Sequence, residues 1–139
     1  MIKIFFYIVF LFILSTNLFA KSEYMKEGID LYNKNKFEDA KFKFEQDIVF
    51  NPKSELSYLY LSKIFNKLDN KKLEEQNLKT VMLLNPKNEE AVYNLARLKL
   101  SNSDYKRSRE LNDILISFCD KLCHASKELK IEIENLSKK

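Results

Sequence analysis

With 139 residues, one glycine and one histidine, the chain lacks the material for several chemistries at once. A lone Gly28 cannot build a phosphate-cradling glycine loop, and a lone His124 removes most acid–base and triad schemes. The net charge of +4 is mild, and opposite signs alternate, as in Lys34-Asn35-Lys36 followed by Glu38-Asp39. Such mixing describes solvated helix faces and not a nucleic-acid footprint.

The first segment, 1–20, is of a different class from the rest. Lys3 is its only charge, Ile4 through Leu14 is unbroken apolar sequence, and Ser15-Thr16-Asn17 leads to Leu18-Phe19-Ala20. A basic start, an apolar centre and a small residue at the end predict a secretory signal cleaved after Ala20. The alternative is an uncleaved anchor, since the apolar stretch sits at the lower edge of spanning length, about 17 residues. No cysteine follows that stretch, so a lipoprotein is not expected. Either outcome exports the rest, to the periplasm or cell envelope in a bacterium. Losing Lys3 with the leader leaves 23 basic against 20 acidic residues, a net charge of +3 on one domain.

From there the apolar spacing predicts helices at 22–34, 37–50, 54–67, 71–84, 88–100, 104–118 and 121–136. Ser22, Ser54, Asn88 and Asp104 are expected N-caps, each able to accept from a free backbone N–H of the first turn. Asn33–Lys36, Leu68–Asn70 and Ser101–Ser103 are short polar turns, so paired helices run antiparallel. The pairs repeat. Asn51-Pro52 and Asn85-Pro86 stand 34 residues apart, and the same step relates Gly28 to Ser62 and Ala96, Tyr24 to Tyr58 and Val92, and Phe50 to Leu84 and Phe118. The small residue permits close helix approach, the large ones fill the space beside it, and proline ends the unit.

This pattern resembles the tetratricopeptide repeat family. The first copy carries it best, in Tyr24, Gly28, Leu31, Tyr32, Phe37, Ala40 and Phe44. The second keeps Tyr58, Leu61, Phe65, Leu78 and Val81 but has Lys71 and Glu74 where the first has Phe37 and Ala40. The third keeps Val92 through Ala96, Asp104-Tyr105 and Ser108, and ends in Cys119-Asp120 instead of Asn-Pro. The resemblance implies an all-α, right-handed α-solenoid of three antiparallel helix pairs, at 21–54, 55–88 and 89–122. The last predicted helix, with Leu122, Ser126, Leu129, Ile133 and Leu136 on one face, caps the array; 123–139 holds its remainder and the tail.

In this family the first helix of each pair lines an inner surface. Carried over, that surface holds Met25, Ile29 and Tyr32, then Leu59, Tyr60, Lys63 and Lys67, then Tyr93, Asn94 and Arg97. Aromatic and methionine side chains beside basic ones imply a protein partner, a peptide or helix with apolar anchors and some acidic character. Chaperone-binding relatives grip a terminal carboxylate with Lys and Asn, but here the corresponding first-repeat sites are Met25 and Ile29, so that mode is not expected.

No catalytic or metal site is expected, and no cofactor. The adjacent carboxylates Glu38/Asp39 and Glu74/Glu75 point apart on a helix and read as surface charge. Cys119 and Cys123 admit a disulfide, strained on one straight helix and eased if the chain bends at Asp120. With His124 they also form a loosened haem-attachment signature. The leading expectation is an exported, non-enzymatic interaction scaffold in an envelope-assembly, secretion or cell-wall complex. Two others stand beside it: a haem- or redox-linked carrier using Cys119, Cys123 and His124, and a membrane-tethered structural oligomer.

Overall fold

The computed structural model describes residues 23–138, and every regular element among them is a helix. They are α1 over 23–33, α2 Phe37–Phe50, α3 Glu55–Lys67, α4 Lys71–Leu84, α5 Glu89–Ser101, α6 Tyr105–Phe118 and α7 Cys123–Leu136. The predicted leader and the Ser22 cap lie outside the described residues. Among the described residues, no helix is long and apolar enough to cross a membrane. The chain falls into two compact units, one ending at Tyr60 and one beginning at Leu61.

Turn chemistry explains where the helices stop. Asn35, Asp69 and Ser103, again 34 apart, adopt left-handed backbone with φ of 58°, 52° and 59°. The residue after each donates its N–H back five positions, Lys36 to Leu31, Asn70 to Phe65 and Asp104 to Lys99, at 2.8–2.9 Å. This is the Schellman closure, which satisfies orphan carbonyls at a helix end. Asn and Asp tolerate the left-handed region without glycine, so the repeat needs no glycine at its turns. At helix starts, Asn88 Oδ1 accepts the Ala91 N–H at 2.8 Å and Asp104 Oδ1 the Arg107 N–H at 3.1 Å. Asn70 does the same for Leu73 at 3.1 Å, a cap the sequence reading missed. Ser54 instead places its hydroxyl on Ser57 Oγ at 2.9 Å.

In the first unit the core forms around Phe44, which is fully buried together with Ala40. Its ring stacks on Tyr60 at 4.9 Å, and Tyr32 meets Tyr60 edge-on at 5.1 Å. The only glycine is explained by the same ring: a Cβ on Gly28 would lie 2.9 Å from Phe44 Cε1. Behind this layer, Asp47 is buried and accepts from the Ser57 hydroxyl, a polar link between α2 and α3.

In the second unit, Leu78, Val81, Val92, Leu95, Leu111 and Leu115 form an apolar centre with almost no exposure. Helix α7 adds Leu129 and Ile133 to it and is fixed in register by a buried amide–hydroxyl pair. Asn112 Nδ2 donates to the Ser126 carbonyl at 3.0 Å, and Ser126 Oγ donates to Asn112 Oδ1 at 2.9 Å. Helix α7 begins at Cys123, two residues later than expected, because 119–122 is non-helical.

One expectation fails in α4. Glu74 is no surface charge: it is 5% exposed, at the phase of buried Ala40, and accepts from Asn66 Nδ2 at 3.1 Å. Its neighbour Glu75 is shared by Lys79 at 2.6 Å and Lys99 at 2.8 Å, which hold its pKa below the usual value. Desolvation raises the Glu74 pKa against the opposing Asn66 hydrogen bond. A raised folded pKa means a contribution present at low pH and lost as pH rises through the folded value. Glu74→Gln is therefore expected to stabilise the protein at neutral pH by on the order of 1 kcal/mol. The gain should vanish below about pH 4, where the wild-type carboxyl is protonated. Urea unfolding at both pH values checks this; an identical effect at each would sink the assignment.

Candidate partner-binding surface

The ten residues assigned to an inner surface divide between the two units. In the first unit, Met25, Ile29 and Tyr32 are half-buried on α1. Leu59 is a correction: at 5% exposure it belongs to the core and offers no partner contact. Tyr60 is half-buried, with its ring committed to Tyr32 and Phe44.

In the second unit, Lys67 is exposed, while Lys63 pairs with Glu90 at 2.7 Å. Arg97 forms an ion pair with Glu132 of α7, so the last helix already engages this cation. Tyr93 and Asn94 are half-buried and line an open cleft of about 510 Å³ together with Lys87, Asn88, Glu89, Glu90, Lys121 and Leu122. The two walls of that cleft are the start of α5 and the link between α6 and α7.

That link is built by a mechanism absent from the two before it. Residues Asn51, Asn85 and Cys119 stand at the same phase and all cap a preceding helix, their N–H groups bonding four residues back at 2.7–2.8 Å. In the first two, the following proline forces the chain out of helical backbone. In the third there is no proline. Cys119 is instead disulfide-bonded to Cys123, the first residue of α7, with the Cα atoms 5.2 Å apart. The bends at 120–122 turn three successive N–H groups toward one carboxylate. Asp120 donates to Glu89 Oε1 at 2.8 Å, Lys121 to Oε2 at 3.0 Å and Leu122 to Oε2 at 2.7 Å. Backbone N–H groups gathered this way form an anion-binding nest, and here the anion is a side chain from α5. The Leu122 N–H, followed by those of Asp120 and Lys121, holds the Glu89 carboxyl below its usual pKa. Glu89, Lys87 and Lys121 escaped the sequence reading. Glu89 looks like any acid in a first helical turn, and nothing local marks its partners 31 to 33 residues on.

The same geometry bears on the other chemistry. Both sulfurs are spent on each other, which leaves no thiol for covalent haem linkage. His124 is exposed and lies beside Glu128 at 3.5 Å. No group of three or more His, Cys, Asp or Glu among the described residues could hold a metal ion.

The sequence matches no family model, and no curated protein matches it. Solved structures do match. The tetratricopeptide domain of Arabidopsis OM64 superposes with a TM-score of 0.77 at 18% identity, covering 86% of this chain and 98% of that one. The TPR2B domain of yeast Sti1, solved in complex with pHsp70, gives 0.78 at 14% identity, with 85% and 98% covered. The Yersinia enterocolitica type III secretion chaperone SycD, solved with a peptide of the translocator YopD, gives 0.75 at 14%, with 85% and 94% covered. The fold is therefore an all-α tetratricopeptide-type solenoid. Identities this low speak to the fold.

Proposed function

We propose that the protein is an exported, non-enzymatic adaptor that binds a segment of a protein partner on the faces of its first-of-pair helices. The observation that carries this is the cleft beside Tyr93 and Asn94, an aromatic ring and an amide presented on a rigid helix. Aromatic anchors of this kind dominate binding energy at protein interfaces. Two of the similar structures, Sti1 and SycD, are themselves complexes with a protein or peptide. Export is supported by the leader-like 1–20 and by the Cys119–Cys123 bridge, since disulfides persist in oxidising compartments. An envelope-assembly, secretion or cell-wall complex is the setting we infer. A partner recovered with the tagged protein from native envelopes is expected to be lost from the Tyr93→Ala/Asn94→Ala variant, by about tenfold or more, with helical content unchanged by circular dichroism. Arg97 is left intact because its loss would also loosen α7. No specific capture by wild-type protein would defeat the adaptor reading. The intact mass of the exported chain distinguishes a cleaved leader from a retained anchor.

A further inference from the structure

Charge accounting within the cleft narrows the partner, resting on the adaptor reading above. Two carboxylates and two lysines stand around Tyr93 and Asn94. Glu90 is matched by Lys63 at 2.7 Å. Both Glu89 oxygens are taken by the backbone N–H groups of the disulfide link. Lys87 and Lys121 are exposed and make no salt bridge among the described residues. The cleft thus offers a partner the Lys87 and Lys121 ammonium groups and a tyrosine, Lys121 adding a minor through-space attraction to Glu89, while both acids already have closer partners.

The link is what arranges this. It places Lys121 on the rim, and it holds the Glu89 carboxylate in the cleft lining on three backbone N–H groups. An opened bridge would leave 119–122 without its covalent closure, release the Glu89 oxygens and let Lys121 leave the rim. The exposed anion would then face the ligand, and the cation opposite it would be gone.

We propose that this cleft docks an acidic peptide segment carrying an apolar anchor, with its carboxylates on Lys87 and Lys121, and that the Cys119–Cys123 bridge maintains the docking geometry. Complementary charge of this sort sets specificity and weakens with salt.

The test uses the exported, oxidised protein and a fluorescein-labelled peptide alternating Glu with Ser around a single Phe. Versions with Gln or Lys in place of Glu serve as controls, read by anisotropy. The Glu peptide is expected to bind about tenfold more tightly than the Gln peptide, and the Lys peptide more weakly still. Lys87→Glu/Lys121→Glu should invert that order, a gain that unfolding cannot imitate. Cys119→Ser/Cys123→Ser, checked for retained helicity, should lose about threefold or more for the Glu peptide alone. Equal binding of Glu and Gln peptides, or an order that charge reversal leaves unchanged, overturns the site. Serine-variant affinity equal to wild type overturns the part assigned to the bridge. If a native partner is captured equally by wild type and Lys87→Glu/Lys121→Glu but lost from Tyr93→Ala/Asn94→Ala, the acidic-segment assignment is wrong and the adaptor reading stands.

Discussion

Replacing Phe44 by Ala is expected to cost about 3–5 kcal/mol, the largest loss of any single change in the first unit. The ring is fully buried, stacks on Tyr60 at 4.9 Å and fills the space that Gly28 leaves open. Gly28→Ala is the informative companion. Alanine favours a helix over glycine by about 1 kcal/mol, yet its methyl would sit 2.9 Å from a ring that cannot retreat. Overpacking costs about 1–3 kcal/mol, so the clash should win and the variant should be destabilised. Adding Phe44→Leu makes room for the methyl, and the double variant is expected to be more stable than Phe44→Leu alone. Equilibrium denaturation of the four proteins closes the cycle. If Gly28→Ala stabilises the Phe44 protein, the ring is not the reason for the glycine. The repeat supports the logic from its other copies: Ser62 and Ala96 occupy the glycine's phase, and sixteen residues after each stands Leu78 or Asn112, not a phenylalanine.

The second large effect concerns the junction of α6 and α7. Asn112→Ala removes both buried hydrogen bonds to Ser126 and leaves the Ser126 hydroxyl without its acceptor, while the Ser126 carbonyl keeps its place in the α7 helical ladder. Orphaning that buried hydroxyl costs about 1–3 kcal/mol, and a loss in that range is expected. Hydrogen exchange should show α7 opening before α5. Ser126→Ala in the Asn112→Ala background should cost much less than in the wild type, because the hydroxyl's partner is already gone. Additive losses would mean the two side chains do not act as a pair. Helix α7 would then be held by Leu129 and Ile133, the Arg97–Glu132 pair and the disulfide at its start.

The helices α2 and α4 run between the same residues that the apolar spacing predicts, and the other described ends differ by no more than two positions. Local signals carry that much. Capping residues, Asn-Pro pairs and a 34-residue step each act within a turn or a pair of helices. The left-handed residues Asn35, Asp69 and Ser103 recur at the same step, but none is a glycine and the sequence alone did not mark them. The site was legible only in part. Tyr93 and Asn94 line the cleft, whereas Leu59 turned out to be core and Arg97 to be engaged by Glu132.

By itself, then, the sequence determined the helical class, the repeat phase and the point where the Asn-Pro series ends, since all three depend on contacts within one repeat. Only the tertiary structure decided that Glu74 lies buried, that Asn112 and Ser126 lock the last helix, and that Glu89 closes the cysteine link. Those outcomes join residues 8 to 33 positions apart on different helices or on a helix and the 119–122 link, where packing and not periodicity chooses the partner. A carboxylate in a helical turn looks the same whether water or three backbone N–H groups will receive it.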